Sequence, residues 1–258
     1  MTYTPTAIIN LIGEKEKLEE RRRQLMLQAG RLNVSSAKAR KILFEGALRR
    51  LLLIIESISI VFDTIPPSTV AIPPRKAITL ATICLHAHVL NVYGFLDCLA
   101  HIWVIERNVL SASGAPLPRQ HVGLRSENST VRRSLPEELN ATLNKYDGWF
   151  DGLERYRHSL AHRVPLYIPP SLVDPSKREE YQVLNRDWNL ELDDVRRSEL
   201  QTKMDSISHF KSIMLFDLDE SDGVFFHAQM VADFLTITSI ATKLFAALSA
   251  NKPQPWQP

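Results

Sequence analysis

Apolar positions recur with a helical period in nearly every long segment of the chain. Between residues 36 and 63, Ile42, Leu43, Leu48, Leu51, Leu52, Ile55, Ile58 and Phe62 repeat close to every 3.6 residues. They predict a helix that Pro66-Pro67 ends, followed by a proline-rich connector from Thr64 to Pro74. Residues 75–110 predict a further helix, apolar almost all round and therefore expected to be central and buried. Residues 227–249 place Met230, Phe234, Ile237, Ile240, Ala241, Leu244 and Leu248 on one core stripe. Near the start, residues 7–32 have helical composition and alternating charges, with Glu19 four before Arg23. An exposed helical arm is expected there.

The middle of the chain is punctuated differently. Residues 111–133 read as a loop with Gly114, Pro116, Pro118 and Gly123. That loop sets Arg119, Arg125, Arg132 and Arg133 against the single acid Glu127, which suits an anionic partner. Ser134 with Glu137 three later has the spacing of a capping box and opens a helix. This helix runs to about Arg163, where Val164 before Pro165 is forced out of helical geometry. On helical spacing Asp147, Asp151, Arg155, His158 and His162 share one stripe, while Trp149, Leu153 and Leu160 face the core. After the extended Pro165–Pro170, residues 176–207 predict one or two exposed helices. Phe210–Phe216 and Val224–Phe226 flank Asp219-Glu-Ser-Asp-Gly223, the pattern of a small hairpin. The proline-rich tail from Asn251 is expected to be disordered. The fold class is thus mainly α, a single helical domain over 1–258. Its core is about 36–165, with an N-terminal arm (7–32), a C-terminal extension (166–250) and a short β-hairpin.

Composition narrows the setting more than the chemistry. A net charge of +2 gives no global attraction for a polyanion, so nucleic-acid contact requires a local patch. Two cysteines, Cys84 and Cys98, both lie in apolar helical patterns, which argues for a reducing compartment. The N-terminus lacks the basic-then-apolar pattern of a signal peptide. Charged and polar residues interrupt the apolar runs, Glu56 in one and His86, His88, Asn91, Asp97 and His101 in the other, so no membrane span is expected. A cytoplasmic location follows as the expectation. Gly-rich phosphate loops, a GxSxG elbow and an HExxH helix are missing, and no cofactor is expected. Cys84, His86 and His88 are the residues for a metal reading, but their spacing fits no standard zinc pattern. A buried polar network is the preferred reading of that helix, with Asp97 open to an arginine from another helix or to His101 four residues on.

One stretch concentrates chemistry: Glu154-Arg-Tyr-Arg-His-Ser-Leu-Ala-His-Arg163. His162 sits in the last helical turn, where the helix dipole favours the imidazolium and the neighbouring arginines oppose it. An imidazole can move a proton and a guanidinium can stabilise charge growing on phosphate oxygens. Together they suffice for phosphodiester transesterification without a metal. Arg157-His-Ser-Leu-Ala-His162 resembles the R-x4–6-H motif of the HEPN superfamily (higher eukaryotes and prokaryotes nucleotide-binding). The resemblance implies a bundle of four to five core helices that dimerises and joins two motifs in one cleft. It implies a metal-independent RNA endonuclease of a toxin or defence system, with RNA as substrate and an antitoxin or other protein as partner. A non-catalytic helical interaction or RNA-binding protein of the same fold is the alternative. Arg157 and His162 would be catalytic and His158 auxiliary; Arg163 and Asp97 are further auxiliary or phosphate-binding candidates. Five residues of helix, however, set Arg157 and His162 about 140° apart. They meet only if the helix end distorts, the arginine reaches round, or a second subunit completes the site.

Overall fold

The computed structural model describes residues 3–162, 164–216 and 223–250, and helices carry most of it. Helix α1 (Pro5–Gly30) starts at Thr4, whose hydroxyl accepts the Ala7 N–H at 3.2 Å. Ser36 caps α2 (Ala37–Lys41) in the same way, and α2 runs through a π-helical segment, Ile42–Ala47, into α3 (Leu48–Thr64). Helix α4 (Arg75–Glu106) then returns antiparallel to α3. The pairing of Ser36 with Glu106 and of Arg50 with Asn91 sets the register. Asn108, with φ 48°, ends α4 in a left-handed turn: Val109 N–H reaches Val104 O and Asn108 N–H reaches Ile105 O.

Further along lie α5 (Ser129–Ser134), α6 (Glu137–Lys145) and α7 (Asp147–His162). Helices α8 (Arg178–Leu190) and α9 (Asp194–Ser206) pack on each other as an outlying pair. Helix α10 (Phe226–Ser249) closes the bundle against α1, α3, α4 and α6. Two small antiparallel ladders accompany them. Strand β1 (Leu172–Val173) pairs with β2 (Ser208–His209), and β3 (Ile213–Met214) with β4 (Val224–Phe225). The predicted hairpin is therefore present, while its turn at 219–222 and the tail from Asn251 lie outside the described residues.

Trp103 and Phe95 of α4, with Phe226 and Phe234 of α10, are among the largest fully buried side chains. Each such burial stabilises the fold by roughly 1.5–3 kcal/mol. The predicted stripe of α10 holds: Met230, Phe234, Ile237, Ile240, Ala241 and Leu244 are all buried. Beyond α5, which forms inside the loop expected over 111–133, the fold departs from expectation at three places. The first segment is not an exposed arm, because Leu18, Leu25 and Ala29 of α1 are buried against α10 and α3. Its arginines turn to their own helix: Arg21 to Glu14, Arg22 to Glu19 and Arg23 to Glu20. The helix expected from Ser134 to Arg163 is two helices, since Tyr146 (φ −104°, ψ 5°) breaks it. Ser134 is not a cap; it closes α5, donates to Val131 O and accepts the Trp103 Nε1–H at 3.0 Å. Finally, α4 is not buried all round, for Leu80, Ile83 and Leu90 stand on its outer face.

By length and composition alone, α4 and α10 are apolar enough to cross a membrane. Here they pack on one another and fill the interior with their largest residues.

Candidate functional site

Helix α7 is fixed on both flanks before its motif begins. At its start Asp147 pairs with Arg132, a nearly buried guanidinium whose pKa burial pulls down despite that carboxylate. Two residues on, Trp149 donates its Nε1–H to Asp233 of α10 at 2.8 Å. Asp233 is the hub of a buried network, since His88 Nε2 (3.1 Å) and Gln229 Nε2 (2.6 Å) also reach its carboxylate. Phe150, Leu153 and Tyr156 fill the core side of α7. Burial pushes the Tyr156 hydroxyl up to about 12.

This anchoring turns Glu154 and Arg157, three apart, toward the polar stripe Tyr93, Asp97 and His101 of α4. The Arg157 guanidinium lies over the Tyr93 ring, 4.4 Å from its centroid. Among the described residues it makes no hydrogen bond or ion pair, so its N–H edges stay open to solvent. Asp97 sits in the field of His101, Arg157, Arg119 and Arg50, yet burial outweighs them and raises its carboxyl pKa. Burial also lowers the His101 imidazole, with Arg119 and Lys38 pushing the same way and Asp97 opposing. Glu154 turns to Arg125 of the loop and lies 3.5 Å from His158.

A cavity of about 100 Å³ opens between this α4 stripe, the loop at 120–128 and α7. Gly123 lets that loop close. A Cβ there would stand 2.3 Å from Asn128 Oδ1, so a larger residue would push the Asn128 side chain aside.

Of the sequence-selected residues, Arg157, His158 and Asp97 thus share one neighbourhood with Tyr93 and Glu154. The His162 side chain and all of Arg163 lie outside the described residues. Helix α7 continues to His162 without a break, so its Cα and that of Arg157 do lie about 140° apart around the axis. Two of the four arginines expected in one loop are paired: Arg132, on α5, holds Asp147, and Arg125 holds Glu127 and Glu154. Nor does Arg155 follow Asp147 and Asp151; it lies over the Phe216 ring at 5.7 Å. The α4 polar residues do form buried contacts, with partners outside α4. His88 takes Asp233, and His86 Nε2 lies 2.6 Å from Leu166 O. Among the described residues, no three potential metal ligands stand together.

Tyr93 and Glu154 went unselected in the sequence although a signal for Tyr93 exists: with Asp97 and His101 it repeats every four residues on one face. Asp233 had none, being a lone acid within an apolar stripe. Comparisons with protein-family models, with curated proteins and with solved structures find no match to this chain.

Proposed function

We propose that the chain is a HEPN-like, metal-independent RNA endonuclease acting in the cytoplasm as a homodimer. The observation that carries this reading is the Arg157 guanidinium. It is exposed, lies over the Tyr93 ring, and among the described residues is joined to no carboxylate, near the end of the helix that bears His162. An arginine so placed presents paired N–H donors to two phosphate oxygens. In the reaction a ribose 2′-oxygen bonds to the adjacent phosphorus while the bond from phosphorus to the 5′-oxygen breaks. The neutral His162 imidazole takes the 2′ proton, and a protonated imidazole, His158 or its counterpart in a second copy, returns one to the leaving oxygen. Arg157 stabilises charge on the non-bridging oxygens. Arg163 is assigned an auxiliary phosphate contact.

A second copy fits the outer face of α3 and α4, where Leu53, Leu80, Ile83 and Leu90 are exposed beside the Arg50–Asn91 contact. The same exposed leucines favour the alternative, a non-catalytic interaction protein whose partner covers them. Incubating wild type, Arg157→Ala and His162→Ala with mixed RNA in EDTA separates the two. Cleavage by wild type and its loss in both variants supports the nuclease. A folded wild type that leaves RNA intact supports the interaction protein.

A further inference from the structure

The cavity beside Arg157 has a floor and a rim of different character. Leu96, Phe150 and Leu153 make the floor, while Asp97, Gln120 and Asn128 bring hydrogen-bonding groups to the wall. Asp97 is the telling member. It is only partly exposed, and among the described residues its carboxylate makes no hydrogen bond or ion pair. A carboxylate withdrawn from water without a donor is costly, and a ligand N–H would relieve it. Arg125 adds a second unmet group, since its Nε is buried without an acceptor. Size limits the ligand. A closed cavity of about 150 Å³ holds a benzene, so an open one of about 100 Å³ suits a single ring seated part-way.

We infer that this cavity receives a cytosine base from the RNA strand whose phosphate Arg157 holds. The inference rests on the RNA reading above. The ring faces lie on the apolar floor, as unstacked bases of single-stranded RNA do in protein pockets. Asp97 accepts from the exocyclic amino group, the pairing that acidic side chains make with cytosine. Amide donors of Gln120 and Asn128 complement the ring nitrogen and carbonyl. Uracil places a carbonyl oxygen where cytosine has its amino group, and so sets a lone pair against the carboxylate.

Anisotropy titration in EDTA tests this with oligocytidylate and oligouridylate of equal length, 2′-O-methylated to prevent cleavage. Wild type should bind the cytosine strand roughly ten-fold more tightly. Asp97→Asn should bring the ratio to about one or below, because a carboxamide can donate to the uracil oxygen. Gln120→Ala, on the loop, should lower the ratio as well. Equal affinity of wild type for the two strands overturns the cytosine pocket and leaves the RNA reading standing. A ratio unmoved by either folded variant also overturns it. If neither strand binds, the RNA reading falls and the pocket with it.

Discussion

At Arg157 the guanidinium lies over the Tyr93 ring while the side chain stays exposed, so the ring contact leaves N–H groups for a phosphate. Lysine keeps the charge but loses both the planar fork and the stack. Arg157→Lys should therefore lose RNA cleavage nearly as fully as Arg157→Ala, and single-turnover rates check this. Asp97 is a second residue whose position has an energetic consequence. Its folded pKa lies above the ordinary 3.8, so the native state holds the proton more tightly. That contribution is present in acid and is lost as pH rises through the raised value, leaving an ionised, poorly solvated group at neutral pH. Asp97→Asn should accordingly gain about 0.5 kcal/mol in denaturant unfolding at pH 7 while losing the preference for cytosine. His227 works with the opposite sign. Burial lowers its imidazole to about 4, although the Ile65 carbonyl it contacts at 2.6 Å pulls the other way. Stability from this residue is full above pH 6.5 and falls by roughly 3 kcal/mol as pH drops from 6.5 to 4. His227→Gln should flatten that slope in unfolding midpoints taken at several pH values.

Among the elements, α10 was legible because a 3.6-residue stripe needs no partner to be recognised, while the charged, mixed composition of 176–207 pointed to one or two exposed helices, and two form there. The break between α6 and α7 was not legible, because no proline marks it. Tyr146 leaves helical geometry where Arg132, from a different helix, takes Asp147. The Ser134–Glu137 spacing likewise matched a cap, but Pro136 starts α6 later and the hydroxyl accepts from Trp103 instead. Helix α1 looked like an arm because its charges dominate its pattern, whereas its packing rests on a few small contact points such as Ala29. Asp233 best displays how elements are joined: one carboxylate accepts from α4, α7 and its own helix. Asp233→Ala would strand those donors in the interior and should cost about 3–5 kcal/mol. Urea unfolding of the variant against wild type measures it.

For the whole molecule, the mainly helical bundle followed from the apolar periodicity, but the candidate site did so only in part. Arg157, His158 and Asp97 were visible as chemical types; that they share a neighbourhood depends on the α4–α7 packing, which no local pattern encodes. The proposed dimer also belongs to this scale. Ile83→Glu with Leu90→Glu lies on an exposed face, so each change should alter monomer stability by less than about 0.5 kcal/mol. Sedimentation should show wild type as a dimer and the double variant as a folded monomer with little activity. A monomeric wild type at micromolar concentration would remove the second copy from the site. The most direct test of the nuclease account is cleavage of a single-stranded RNA in EDTA, with the product ends identified by mass spectrometry. The account predicts cleavage by wild type to 2′,3′-cyclic phosphate and 5′-hydroxyl ends, absent with Arg157→Ala and with a 2′-deoxy strand. Intact RNA after incubation with folded wild-type dimer, or equal cleavage of the 2′-deoxy strand, would contradict it.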